Sequence, residues 1–370
     1  MRHSLILGAA ILASAACSDG APSGKHGPAS LDHSGLAPVE VAGRVVHESD
    51  LLGIPTGLAV AGPYLAVIDD GADSAVHVLR SADGALVRSL GRQGEGPGEY
   101  KGAWSIDPVP GKPEEFWVYD LSLRRITHVD LERHHAAPGS RVDTRVLKLS
   151  SGSTLTGPMW IGDTVVSPGF FVDGRLARFD TDGLPLGTVG DLPPGGDRVP
   201  PTVRQEAYLA TPATNGARTL IALGMEYADL IDVLRPDGSL VRRIRGPFGF
   251  DPRFTVARGA HGPIMSSGDD MRMGYVHTAA TDEYVYALFS GRTREGYGED
   301  SAFGEYVHVY DWDGHLVRVL HLDAALLTIA VDPENATLYG VRHDPKPAVV
   351  AYPLAGALGL RGPVASAAQP

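Results

Sequence analysis

Apolar and polar residues alternate in short runs along most of this chain instead of recurring at helical spacing. Tyr64-Leu-Ala-Val-Ile68, Ala75-Val-His-Val-Leu79, Asp229-Leu-Ile-Asp-Val-Leu234 and Tyr306-Val-His-Val-Tyr310 each run for about five or six residues before Asp, Gly, Pro or Ser interrupts. Successive side chains on a strand point to opposite faces, so period-two alternation reads as β-structure. No 3.6-residue periodicity is sustained in the body of the chain, which argues against a Rossmann or barrel fold of alternating strands and helices.

The runs repeat. Asp83-Gly-Ala-Leu-Val-Arg-Ser-Leu90, Asp237-Gly-Ser-Leu-Val-Arg-Arg-Ile244 and Asp313-Gly-His-Leu-Val-Arg-Val-Leu320 nearly superimpose, and a fainter copy begins at Asp182-Gly183. Each follows an alternating run, so each is two strands joined by an Asp-Gly turn, where Gly accepts the positive φ that tight hairpins require. A second apolar pair of strands precedes each hairpin, as in Met273–His277 with Glu283–Phe289. The units fall at 55–91, 102–149, 156–190, 203–246, 271–322 and 326–354. Repetition of this kind predicts an all-β, six-bladed β-propeller. The last unit has only three strands of its own, and residues 39–46 are expected to supply the fourth, closing the ring and protecting its edges. Residues 246–270 lack sustained alternation and read as an insertion, not a seventh blade.

Composition agrees with a turn-rich protein: Gly (46) and Pro (28) make up about a fifth of the 370 residues, and 43% are hydrophobic. The first residues do not belong to the fold. Arg2 and His3, the apolar stretch Leu5 to Leu12 and the small residues Ala13 to Ala16 form a signal peptide, residues 1–16. Cys17, the sole cysteine, follows directly, at the place where bacterial lipoproteins carry their acylated cysteine, although Ser14 stands where such signals usually have Leu. Residues 17–38 are expected to be a lipidated tether, 39–354 the propeller and 355–370 a disordered tail. The address is thus outside the cytoplasm, with the membrane reached through the lipid alone. A net charge of −12 without any Lys/Arg run argues against nucleic-acid binding.

Other stretches resemble a known family. Asp282-Glu-Tyr-Val-Tyr-Ala-Leu-Phe-Ser-Gly-Arg292, Tyr306-Val-His-Val-Tyr-Asp-Trp-Asp-Gly314 and Ala330-Val-Asp-Pro-Glu-Asn-Ala-Thr-Leu-Tyr339 are similar to strands of the TolB-like six-bladed propellers, many of them envelope lipoproteins. The segment Gly91-Arg-Gln-Gly-Glu-Gly-Pro-Gly-Glu-Tyr100 resembles the inter-blade loop of these and of NHL-type propellers, and Asp120 with Arg125-Ile126 resembles the NHL pairing of an acidic strand end with an Arg-Ile strand start. The resemblance implies a fold and an address but no reaction, because the family has no shared catalytic residues.

Candidate chemistry is sparse. The glycine-rich stretch 91–98 lacks the Lys-Ser/Thr of a phosphate loop and reads as a blade linker, with Arg92, Glu99 and Tyr100 within reach of the central mouth. Thr56, Trp104, Arg204, Glu206, Arg272 and Tyr275 fall on inner strands or the loops entering them, where Arg and aromatic groups suit an anionic or sugar-like ligand. Asp180-x-Asp182-Gly and Asp311-x-Asp313-Gly do not continue into calcium loops. The fourteen histidines are scattered, no Gly-x-Ser-x-Gly elbow is present, and no catalytic residue, metal or cofactor is expected. The sequence therefore points to a monomeric, non-catalytic scaffold presenting a ring face to a protein, peptide or glycan. The alternative is a metal-dependent lyase or lactone hydrolase with its site in the channel.

Overall fold

The computed structural model describes residues 33, 35–132, 146–260 and 262–359. Cys17, the expected signal peptide, most of the expected tether and residues 360–370 lie outside them. After β1 (Val39–Val41) and β2 (Arg44–Glu48), blade one comprises β3 (Pro55–Ala61), β4 (Tyr64–Asp69), β5 (Val76–Arg80) and β6 (Leu86–Leu90). Blade two is β7 (Ala103–Pro108), β8 (Glu115–Asp120), β9 (Arg125–Asp130) and β10 (Val146–Lys148); blade three is β11 (Met159–Ile161), β12 (Thr164–Pro168), β13 (Leu176–Phe179) and β14 (Pro185–Val189). A short helix, α1 (Pro201–Ala207), leads into blade four, which is β15 (Ala210–Thr214), β16 (Ile221–Met225), β17 (Leu230–Leu234) and β18 (Leu240–Arg245). The hairpin β19 (Thr255–Gly259) and β20 (Gly262–Ser266) then precedes blade five: β21 (Tyr275–Ala280), β22 (Tyr284–Phe289), β23 (Gly304–Asp311) and β24 (Leu316–Leu326), with α2 (Arg294–Tyr297) between β22 and β23. Blade six is β25 (Thr328–Asp332), β26 (Thr337–Arg342) and β27 (Ala348–Pro353). The blades are antiparallel meanders, and β25 packs beside β3 to complete a six-bladed ring.

The Asp-Gly repeats explain how blades fit together. Gly84, Gly183, Gly238 and Gly314 have φ of 71°, 79°, 85° and 87°, a region favouring glycine. In all four hairpins the register shifts by one residue beside the turn, at Val78/Leu79, Arg178/Phe179, Val233/Leu234 and Val309/Tyr310. Such a bulge increases the local twist. Each turn glycine lies against the outer strand of the blade before it: Gly84 on Val46, Gly183 on Lys148, Gly238 on Gly190, and Gly314 on Arg242 and Ile244. The motif therefore makes both the turn and a side-chain-free contact between blades.

Ring closure uses the N-terminal end, divided differently from the sequence expectation. Residues 39–46 do not form one strand. β1 pairs in parallel with β24 as a fifth strand of blade five, and β2 pairs antiparallel with β27 as the fourth strand of blade six. Gly43 makes the crossing possible, since a Cβ there would lie 2.5 Å from Val350 Cγ1 and 2.7 Å from Tyr352 Cε1. The expected start of blade four at residue 203 is also corrected: 201–207 is helical, with Pro201 in the first turn and Val203 and Ala207 buried at i, i+4. One such pair is too short to register as periodicity. The 246–270 insertion does contain strands, the β19–β20 hairpin, in a sheet of its own.

Each blade interface has its own hydrophobic cluster, supplemented by buried polar ties. Arg175, 4% exposed, donates to Gln205 Oε1 (2.6 Å) and Tyr208 O (2.7 Å), joining blades three and four. At one end of the ring Arg218 reaches from blade four to blade two, donating to Asp107 Oδ1 (2.7 Å), Asp107 Oδ2 (2.9 Å) and Pro108 O (2.6 Å), and to Trp160 O of blade three (2.7 Å).

Candidate functional site

The inner strands β3, β7, β11, β15, β21 and β25 surround a central cavity of about 2830 Å³. Its walls are mostly small or apolar, as with Ala59, Ala103, Ala213 and Ala330. The polar chemistry sits at the two mouths. The mouth where the inner strands begin is crowned from one side by α1, the β19–β20 hairpin and the α2 loop. These bring Glu206, Met265, Asp269, Met271, Met273 and Arg294 onto its wall, beside Glu226 and Tyr227 from the turn between β16 and β17.

Glu226 is the most perturbed acid on that wall. Its backbone is fixed on both sides, the N–H donating to Leu209 O (2.8 Å) and the carbonyl accepting from Gly274 N–H (2.6 Å). Burial pushes its carboxyl up to about 7, opposed by a hydrogen bond with Tyr227. Burial and then the Glu226 charge push the Tyr227 hydroxyl well above its ordinary value. Burial also raises Glu206, while Oε2 accepting from Met265 N–H (2.8 Å) works in the other direction. Over the whole cavity, eleven Asp or Glu residues line the wall against only three Lys or Arg: Lys101, Arg218 and Arg294. Arg218 is already committed to Asp107, and Arg294 lies 3.8 Å from Glu299. The cavity is therefore a negatively charged lumen with low-dielectric walls, an arrangement that concentrates cations.

The residues singled out from sequence are placed in three different environments. Thr56, Trp104 and Glu206 line the cavity. Trp104 also donates from Nε1 to Thr156 O (3.1 Å), tying blade two to blade three. Arg92, Glu99 and Tyr100 belong to the linker: Arg92 pairs with Glu99 (2.6 Å), Glu99 Oε2 accepts from Gly96 N–H (2.9 Å), and Tyr100 is buried between blades one and two. Arg125 caps that linker by donating to the carbonyls of Glu95, Gly96 and Glu99, so its glycines follow a path fixed by one guanidinium. Arg204 turns away on α1 toward Pro193 O.

Arg272 and Tyr275 sit in the blade interface. The Arg272 guanidinium lies 4.8 Å from the Phe248 ring centre and 4.9 Å from that of Phe250. Tyr275, fully buried, donates its hydroxyl to Asp229 Oδ1 (2.7 Å) and contacts the Tyr310 hydroxyl (2.8 Å) and His308 Nδ1 (3.2 Å). The neighbours of Arg272 in the chain, Met271 and Met273, face the cavity instead. Sequence reasoning missed those methionines along with Glu226 and Tyr227, because a Glu-Tyr pair in a hairpin turn carries no signal that distinguishes it from a solvated loop. Among the described residues, no group of three or more His, Cys, Asp or Glu is arranged to hold a metal ion, and no helix is long and apolar enough to cross a membrane.

A family profile described as TolB-like 6-blade propeller-like matches residues 39–334. No curated protein matches the chain. Among solved structures, the chain is similar to the Myceliophteria thermophila Cps50 (Swd1) beta-propeller domain, with 13% identity, 84% of this chain and 99% of that one covered, and a TM-score of 0.47. It is also similar to Kuenenia stuttgartiensis hydrazine synthase, with 11% identity, 82% and 96% coverage, and a TM-score of 0.46.

Proposed function

The chain belongs to the TolB-like six-bladed propeller family, and from that premise we propose that it is a non-catalytic binding scaffold of the cell envelope whose crowned channel mouth receives a positively charged partner, a basic peptide or the basic segment of a protein. The observation that carries this reading is the excess of carboxylates over cations around the cavity. A volume of about 2830 Å³ exceeds the roughly 300–1,000 Å³ of small-ligand pockets and suits a length of chain. Methionines at the mouth add an adaptable apolar surface of the kind that accommodates varied side chains. This reading replaces the anionic or sugar-like ligand expected from the arginines, since Arg92, Arg204 and Arg272 do not line the cavity. The signal peptide and Cys17 support export and a lipid anchor.

The test is fluorescence anisotropy with a labelled lysine- and leucine-containing peptide and its glutamate counterpart. The basic peptide should bind, more weakly as salt rises, and the acidic one should not. Equal binding of both peptides, or none of the basic one, defeats the reading. Metal content and activity on lactone and amidated-glycine substrates, measured on the same sample, test the alternative of a channel enzyme.

A further inference from the structure

A second constellation lies apart from the channel, where the chain enters the fold. His33 is 2% exposed, inside the stretch that the sequence assigned to a tether. Its ring lies 4.6 Å from that of Tyr306, 5.3 Å from that of Phe248 and 5.3 Å from that of His308. His33 Nδ1 is 3.2 Å from His308 Nε2. Leu36 packs on the same cluster, and its N–H donates to His33 O (3.2 Å).

The surrounding network fixes which nitrogen does what. Asp229 accepts from the Tyr275 hydroxyl, which leaves that oxygen to accept from His308 Nδ1–H. His308 Nε2 is then the acceptor, and His33 Nδ1–H the donor. A proton added to His308 Nε2 would set one N–H against another inside a pocket closed by Phe248, Phe289 and Tyr306.

We infer that His33 and His308 form a clasp holding the N-terminal segment on blade five, and that mild acidification opens it while β1 stays paired. Burial, followed by the His33 charge, holds His308 well below the ordinary 6.5. The clasped state therefore binds fewer protons than the open one, so clasping is complete above about pH 6.5 and weakens as pH falls below it. The facing charges do not cancel this. Asp229 is spent on Tyr275 and on the N–H groups of Phe248 and Gly249, Arg272 stacks on Phe248 as a further positive charge, and Tyr306 and Tyr310 stay neutral. Glu40 Oε1 lies 2.9 Å from His321 Nδ1, a contact that accompanies the pairing of β1 with β24.

Hydrogen–deuterium exchange of the full-length protein tests the clasp at the Leu36 amide, with rates corrected for intrinsic pH dependence. For one histidine of ordinary pKa 6.5, opening should rise about thirtyfold between pH 7.5 and pH 5. His33→Phe combined with His308→Phe, which keeps two aromatic rings and removes both titrating groups, should show equal protection at the two pH values, and His33→Ala should exchange quickly at both. Equal wild-type protection at the two pH values, or a pH response of the double variant like that of wild type, overturns the clasp. So does a parallel loss of protection at Val118 in blade two, which would mean global acid unfolding.

Discussion

Replacing Glu226 by Gln should stabilise the protein at alkaline pH, even though Glu226 lies at the centre of the candidate site. With its carboxyl held up to about 7 against an ordinary 4.5, the folded state keeps a proton between those values that the unfolded chain releases. Stability therefore falls as pH rises through that window and is flat above it. The full shift corresponds to about 3 kcal/mol, and partial opening to the cavity reduces this to about 2 kcal/mol. Gln is neutral and nearly isosteric and keeps a hydrogen bond within reach of Tyr227. Glu226→Gln should thus exceed wild type by about 2 kcal/mol at pH 8 and match it near pH 4. Urea unfolding followed by tryptophan fluorescence at pH 4, 6 and 8 measures both. An equal difference at all three values, or a less stable variant at pH 8, refutes the assignment. The same substitution should weaken basic-peptide binding at pH 8, and wild-type affinity should climb as pH rises toward 7, because a bound cation favours the carboxylate.

Other predictions test the ring and the proposed anchor. Arg218→Ala should cost about 3 kcal/mol by leaving Asp107 without its bidentate partner; a urea-midpoint change equivalent to less than about 1 kcal/mol would show that this contact does not hold the blades. Gly43→Ala should cost about 1–3 kcal/mol, since the new methyl meets Val350 and Tyr352, and thermal melts that coincide with wild type would refute the tight crossing. Tyr275→Phe, which removes the hydroxyl donor to Asp229 Oδ1 and the hydroxyl partner of Tyr310, should lower stability by about 1–3 kcal/mol on chemical denaturation. Cys17→Ala should move the protein from the membrane to the soluble fraction, and unchanged retention on fractionation would defeat the lipid anchor.

Features that depend on neighbours in the chain were legible in the sequence. Period-two alternation marks strands wherever they pair, and Asp-Gly forces a turn through the backbone freedom of glycine, so four hairpins and six blades could be counted before any contact was known. The N-terminal closure was legible as a need, because the last blade lacked a strand. Its division between two blades was not, since the crossing at Gly43 is set by Val350 and Tyr352, some 300 residues away.

The site was the least legible part, for a reason visible at residues 271–275. Alternation says that Met271 and Met273 face one way and Arg272 the other, but not which way is the lumen, and an error of one residue exchanges the two sets. The sequence expectation put Arg272 in the channel, whereas packing on Phe248 and Phe250 turns it into the blade interface and leaves the methionines at the mouth. The sequence determined the strands and their repetition because those rest on local geometry. Which side chains meet around the cavity was decided by the closure of the ring, which brings together residues distant in the chain.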